Sequence, residues 1–87
     1  MWKLIVAPSA ERVLVRLPEK AAAAVVEFLL GPLMENPYRV GHSLRRELGA
    51  LRAARRGPYR VVYEIDDAQG LVRVLRIDHR ADVYRSR

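Results

Sequence analysis

Residues 55–65 read RRGPYRVVYEI, a stretch in which a turn, a strand and three arginines coincide. Gly57-Pro58 predicts the turn, because glycine tolerates a positive φ and proline fixes its own φ. From Tyr59 onward every second residue is aromatic or aliphatic, which is the period of two expected of a half-buried β-strand. Arg60 is therefore predicted to lie on the face of the sheet opposite an apolar stripe, which raises the question of which anion it binds.

The formal net charge of the 87-residue chain is +6, and this charge is unevenly spread. Basic and acidic side chains balance over residues 1–38, whereas residues 39–87 carry 12 arginines and six acidic residues. A concentration of one sign is the electrostatic footprint of a polyanionic partner, nucleic acid first. A codon bias towards arginine is the alternative, and it explains why there are only two lysines but not the asymmetry.

Several classes of protein are excluded by the composition. Without cysteine there is no disulfide framework or thiolate metal site, and two histidines are too few for an all-imidazole site. Residues 1–6 lack the apolar run of a signal peptide, and the apolar run at 21–30 is too short to span a bilayer. We expect a cytoplasmic protein with a single domain over residues 1–87, no membrane association, and neither metal nor other cofactor.

The apolar patterns predict an α+β fold, with an N-terminal strand and a two-helix hairpin packed on one face of a mostly antiparallel four-stranded sheet. The predicted strands are residues 3–7, 51–56, 59–65 and 71–77, the helices are 10–17 and 18–30, and residues 78–87 form a short tail or one helical turn. Gly31-Pro32 interrupts the second helix, and residues 38–43 are predicted as a loop. Strict alternation along the last strand predicts Arg73 and Arg76 on opposite faces.

If the helices cover one face of this sheet, the other face is open and lined by arginines. Arg60 lies on it, and a tight hairpin brings Arg55 to within about 5 Å across the turn. Arg80, His79 and Tyr84 follow the last strand directly, so their side chains can return to the same concavity. Such a groove suits a phosphodiester, because arginines hold its oxygens and neutralise growing charge, while histidine or tyrosine can transfer a proton.

Other chemistries lack their residues. The chain has no serine or cysteine nucleophile motif, no glycine-rich phosphate loop and no metal-ligand spacing. RNA brings its own nucleophile, the 2′-OH, so a metal-free protein of this size can cleave RNA by positioning and electrostatics. Each of these residues also has a purely structural interpretation. In that interpretation Arg60 forms an ion pair with Glu64, His79 is a solvated surface residue, and Tyr84 buries its ring against the sheet. Tyr59 and Tyr63 are expected in the core.

Two segments carry a resemblance to a known family: GPYRVVYEI at residues 57–65 and LRIDHRADVYR at residues 75–85. Together they resemble the RelE/ParE superfamily of bacterial type II toxins, and the similarity extends over nearly the whole chain. For the RelE branch, the resemblance implies cleavage of mRNA in the ribosomal A site through 2′-OH attack. It also implies a neutralising antitoxin encoded beside the toxin, and hence a toxin–antitoxin hetero-oligomer.

The resemblance assigns roles to single residues. Arg60 matches the strand arginine of the family and Arg80 the arginine after the last strand, and both are expected to stabilise the charge of the transition state. Tyr84 matches the C-terminal tyrosine that stacks on or orients the substrate. The basic residues expected to contact mRNA or rRNA phosphates are Arg45, Arg46, Arg52, Arg55 and Arg56.

One departure from the family pattern bears on proton transfer. Where well-studied RelE toxins carry two alternating lysines on the strand before the turn, this chain has Leu51 and Ala53. Arginine is a poor proton donor, so His79 is the candidate general acid. The missing lysines favour an alternative, a ParE-like toxin that inhibits DNA gyrase without cutting anything. A degenerate member that only binds is a third interpretation.

Overall fold

The computed structural model describes residues 1–44 and 51–81 of the chain. Within them the elements are β1 (Lys3–Val6), α1 (Pro8–Arg16), α2 (Glu19–Leu30), α3 (Pro32–Glu35), β2 (His42–Ser43), β3 (Leu51–Arg56), β4 (Tyr59–Asp66) and β5 (Leu71–His79). The strands form one sheet in the order β1-β5-β4-β3-β2. β1 runs parallel to β5, and the other neighbouring strands are antiparallel.

The predicted α+β class is confirmed, but the prediction of four strands is wrong. The fifth strand, β2, comes from the segment predicted as a loop, where His42 and Ser43 pair with Ala53 and Arg52 of β3. Two residues are too few for alternation to show, so only the pairing with β3 defines this strand. The predicted interruption of the second helix is confirmed, because α2 ends at Leu30 and α3 begins at Pro32.

The core lies between the helices and one face of the sheet. Tyr63 is fully buried there and its hydroxyl donates a hydrogen bond of 2.6 Å to the carbonyl of Pro37, while Tyr59 packs at the margin. The other strand residues of this core are Ala54, Val61, Val72, Val74 and Ile77, and the helix residues are Ala10, Val25, Phe28, Leu29 and Leu33. Both tyrosines therefore lie on the helix side, as predicted.

A β-bulge at Leu75 interrupts the alternation of β5. Val74 and Arg76 face Tyr63 and Val62, which are consecutive residues of β4. A bulge adds one residue to one strand, so side chains beyond it point to the face opposite that expected from strict alternation. The predicted faces of β5 are consequently wrong beyond the bulge, and both arginines of this strand lie on the same side of the sheet. The carbonyl of Leu75 accepts a 3.0 Å hydrogen bond from the Ser9 hydroxyl of α1.

Candidate nucleic-acid-binding face

The face of the sheet turned away from the helices, called the open face below, carries most of the charged strand residues. Its floor contains Ala53 and Val62, which face each other, are 1% and 2% exposed, and lie outside the main core. The register places these charged or titratable residues on it, among those described: Lys3, His42, Arg55, Arg60, Glu64, Asp66, Arg73, Arg76 and Asp78. Five cations thus share the surface with three carboxylates, which makes it a basic face.

Arg55 and Arg60 are a directly opposed pair in the β3–β4 hairpin. Like charges in this arrangement repel each other, so the pair favours a bound anion. The Nε atom of Arg60 is buried and finds no hydrogen-bond partner among the described residues. The open face therefore holds two adjacent guanidiniums that a phosphate can bridge.

Asp78 partly compensates this charge from the neighbouring strand. It lies opposite Arg60 in β5, with its Oδ2 atom 3.6 Å from Nη2 of Arg60 and 3.0 Å from Nε of Arg76. The alternative in which Arg60 pairs with Glu64 is wrong, because Glu64 lies opposite Arg73 and forms its ion pair there. The ionic partner of Arg60 comes from the next strand and not from its own.

His79 and Arg60 lie on opposite faces of the sheet. It lies opposite Tyr59 in the register, on the helix side of the sheet, and the two rings meet edge to face at 5.2 Å. Its Nδ1 atom accepts a 3.0 Å hydrogen bond from the backbone N–H of Ala81. Because successive strand residues alternate, the open face at this point is taken by Asp78 and not by the histidine.

The remaining predicted catalytic residues follow β5. Arg80 is exposed, and its backbone N–H donates a 2.8 Å hydrogen bond to the carbonyl of Pro58. That contact fixes Arg80 beside the β3–β4 turn, at the same end of the sheet as the Arg55 and Arg60 pair. Tyr84 lies outside the described residues, as do Arg45 and Arg46.

Arg52 and Arg56, two of the predicted phosphate contacts, turn towards the helix side. The Nη2 atom of Arg52 donates hydrogen bonds of 2.8 Å and 2.9 Å to the carbonyls of Tyr38 and Gly41, and its guanidinium lies 5.4 Å from the centre of the Tyr38 ring. This arginine fastens the loop before β2 to β3, a role that needs no RNA. Arg56 lies opposite Tyr59 and is exposed, next to a small apolar groove against α2.

Sequence reasoning missed part of the open face. The bulge of β5 brings Arg76 to the same side as Arg73, and no pattern within the β5 sequence indicates the bulge. His42 also lies on this face, opposite Ala53, with an exposed imidazole. Alternation within β1 predicts the face on which Lys3 lies, whereas the face of His42 follows only from the pairing of β2 with β3.

A family model describes the same chain. Residues 4–84 match the family described as the ParE toxin of the type II toxin–antitoxin system parDE. The chain belongs to the RelE/ParE superfamily of type II toxins. The resemblance seen in the sequence is thereby confirmed.

Two curated relatives come from Mycobacterium tuberculosis. Toxin RelE is 50% identical over 84 residues, which cover 97% of this chain and 87% of the relative. Toxin RelG is 54% identical over 77 residues, covering 88% of each. The toxin–antitoxin complex RelBE2 from the same organism contains a chain with a TM-score of 0.85 and 48% identity, covering 91% of this chain and 98% of that one. This protein is therefore a RelE-like type II toxin.

In the described part of the toxin, no helix is both long enough and apolar enough to cross a bilayer.

Proposed function

We propose that this toxin is a ribosome-dependent endoribonuclease that cleaves mRNA without a metal ion and thereby stops translation and growth. The observation that carries the proposal is the opposed pair of Arg55 and Arg60 on the open face. Guanidiniums on two adjacent strands can each donate charge-assisted hydrogen bonds to the oxygens of one phosphate. The kinship with toxins RelE and RelG supports the same branch of the superfamily.

The proposed reaction uses the substrate's own nucleophile. The 2′-oxygen of a nucleotide attacks the adjacent phosphorus, a 2′-O–P bond forms and the P–O5′ bond breaks. The 2′-OH gives its proton to a base, and the leaving 5′-oxygen takes one from an acid, so the products are a 2′,3′-cyclic phosphate and a 5′-OH. Arg60 and Arg80 stabilise the charge that grows on the phosphate oxygens, because preorganised donors act most strongly where charge develops.

Proton transfer requires a titratable group near this phosphate. His79 and Tyr84 remain proposed for it, the tyrosine also for stacking on or orienting the substrate. His42 is a further candidate, because it shares the open face with Arg60 whereas His79 contacts Tyr59 on the other side. An imidazole suits either role, since its charge ordinarily changes near neutral pH.

The partners follow from the same proposal. The open face binds mRNA on the ribosome, with Arg55 the best placed of the predicted phosphate contacts. Arg45, Arg46, Arg52 and Arg56 stay in the proposal as contacts to mRNA or rRNA. We also propose a cognate antitoxin that forms a hetero-oligomer with this toxin in the cytoplasm, supported by the similarity to a chain of the RelBE2 toxin–antitoxin complex from Mycobacterium tuberculosis.

The matching family is described as the ParE toxin, and Leu51 and Ala53 stand where lysines are expected, so gyrase inhibition is the second candidate function. One experiment separates the two. The toxin is expressed briefly, mRNA 5′ ends are mapped on ribosomes, and gyrase supercoiling is assayed in parallel. New 5′ ends with unaffected supercoiling support the nuclease, whereas intact mRNA with inhibited supercoiling would reject it.

A further inference from the structure

We propose that Asp78 is a positioning residue for the phosphate site, whose carboxylate bridges Arg60 and Arg76 and fixes the orientation in which Arg60 meets RNA. The part of this inference that concerns cleavage rests on the proposed function. The part that concerns the order of the arginine side chains does not.

The contacts define a bridge across two strands. Asp78 Oδ2 accepts a hydrogen bond from Nε of Arg76 at 3.0 Å and lies 3.6 Å from Nη2 of Arg60. Its side chain is only 22% exposed, so the solvent screens these interactions less than it screens a free surface pair. One carboxylate oxygen thus meets guanidiniums from both β4 and β5.

A carboxylate at this place is unfavourable for binding alone. A phosphate that approaches Arg60 also approaches Asp78, and the two negative charges repel each other, so the aspartate weakens RNA binding. Its benefit must therefore lie in something other than affinity.

The geometry indicates that Asp78 instead orders the side chain of Arg60. Arg55 lies directly opposite Arg60 and repels it, while the long arginine side chain has many rotamers to lose on binding. Asp78 attracts the guanidinium of Arg60 from the opposite side, towards β5. Since a guanidinium carries five N–H donors, Arg60 can keep Asp78 on one edge and present others to a phosphate, already oriented for the transition state.

The test compares two variants that remove the same charge from the same face. Asp78→Asn breaks the bridge, and Glu64→Gln is the matched control, because Glu64 pairs with Arg73 instead. Three measurements are made on the full chain: affinity for a single-stranded RNA by fluorescence anisotropy, the cleavage rate at saturating toxin on mRNA-programmed ribosomes, and ¹⁵N relaxation of the arginine Nε–H groups. Thermal unfolding checks the fold, and Asp78→Ser provides a second replacement.

The two variants are expected to separate binding from catalysis. Both bind RNA several-fold more tightly than the wild type, because each loses one repulsive charge. Asp78→Asn and Asp78→Ser nevertheless cleave about 10- to 100-fold more slowly at saturation, as misplaced catalytic groups do, whereas Glu64→Gln stays within about twofold of wild type. In the relaxation data, Arg60 Nε–H gains motion only when Asp78 is replaced.

The measurements test the positioning role, the proposed function and the bridge separately. Equal cleavage by the Asp78→Asn and Glu64→Gln variants would overturn the positioning role. If the wild type itself does not cleave mRNA, the proposed function fails, and the relaxation data alone then decide on Asp78. An Arg60 side chain that is as ordered in Asp78→Asn as in the wild type would overturn the bridge.

Discussion

Arg55 and Arg60 face each other across the β3–β4 hairpin and place two like charges side by side on the open face of the sheet. Such a pair lowers stability, because like charges directly opposite in a sheet repel each other. A binding site for an anion accounts for the arrangement, since a phosphate turns the repulsion into attraction. If RNA supplies that phosphate, as proposed above, the pair links the stability of the free toxin to its affinity for RNA.

The first prediction concerns that link. Arg55→Ala should leave the toxin as stable as the wild type or more stable, while weakening RNA binding. It should also reduce the slope of log K against log salt concentration by about 0.7, the loss of one phosphate contact on a single strand. Arg12→Ala, an exposed change on α1, serves as the control and should keep the wild-type slope. An unchanged slope for Arg55→Ala would contradict the placement of RNA on this face.

Arg52 is predicted to stabilise the fold through contacts within the protein, in addition to any contact with RNA. Arg52→Ala removes two hydrogen bonds to the carbonyls of Tyr38 and Gly41, and bonds that involve a charged group contribute about 1.5–3 kcal/mol each. Because both bonds come from the single atom Nη2, their contributions do not add in full. We therefore expect urea denaturation to report a loss of about 2–3 kcal/mol in the free energy of unfolding, with Arg55→Ala as the comparison of equal charge. An Arg52→Ala variant as stable as the wild type would contradict this role in folding.

Gly41 is predicted to tolerate no side chain. A Cβ atom at this position would collide with the Tyr63 hydroxyl and lie only 2.6 Å from the carbonyl oxygen of Ala53. Tyr63 is held in the core and Ala53 is paired within the sheet, so Gly41→Ala should cost about 1–3 kcal/mol, as overpacking usually does. Thermal unfolding measures the loss, and Ser43→Ala, an exposed change in β2, is the control. Equal melting temperatures for the two variants would show that the loop has room to move.

The hydrogen bond from Tyr38 to Asp67 predicts a dependence of stability on alkaline pH. This bond, together with desolvation, raises the pKa of Tyr38 above its ordinary value. The folded protein then holds the proton more tightly than the unfolded chain, so the contribution is fully present below about pH 10 and is lost as the pH rises through the folded-state pKa. Urea denaturation across this range should show a smaller decline for Tyr38→Phe. Parallel curves would contradict the bond.

The two histidines are predicted to differ in catalysis. His42→Ala should lower the maximal cleavage rate by about 10² to 10⁴, the usual loss when a proton-transfer group is removed. His79→Ala should lower it less, because that imidazole contacts Tyr59 on the helix side. Rates measured from pH 5 to pH 9 should lose one limb of their pH dependence only in His42→Ala. The opposite ranking would restore His79 as the principal proton-transfer group.

The sequence predicts the parts of the site that depend on residues close together in the chain, and not the parts that depend on pairing between distant strands. Alternation along β4 correctly placed Arg60 opposite the tyrosine stripe, and the Gly57-Pro58 turn correctly paired it with Arg55. Both signals are local. The bulge at Leu75 and the two-residue strand at His42 exist only through their pairing with other strands, so no periodicity within their own segments reveals them.

The side-chain partners of Arg52 and Glu64 are likewise distant in the chain and were not predicted. Arg52 belongs to a basic run in the sequence, yet its guanidinium is taken up by carbonyls of the preceding loop. Glu64 is close to Arg60 in the chain and lies on the same face of β4, yet the register pairs it with Arg73. Composition identified the basic surface, and the cross-strand register decided which arginines compose it.

The chemistry of the cleaved ends tests the proposed nuclease activity most directly. Purified ribosomes carrying a defined mRNA are mixed with the toxin in the presence of a metal chelator at a concentration that leaves the ribosomes intact, and the fragments are analysed for their termini. Attack by the 2′-OH should leave a 2′,3′-cyclic phosphate on the upstream fragment and a 5′-OH on the downstream one. Both products should be absent with Arg60→Ala and present with Arg12→Ala. Uncleaved mRNA with the wild-type toxin, or fragments with a 5′-phosphate, would contradict the proposed cleavage.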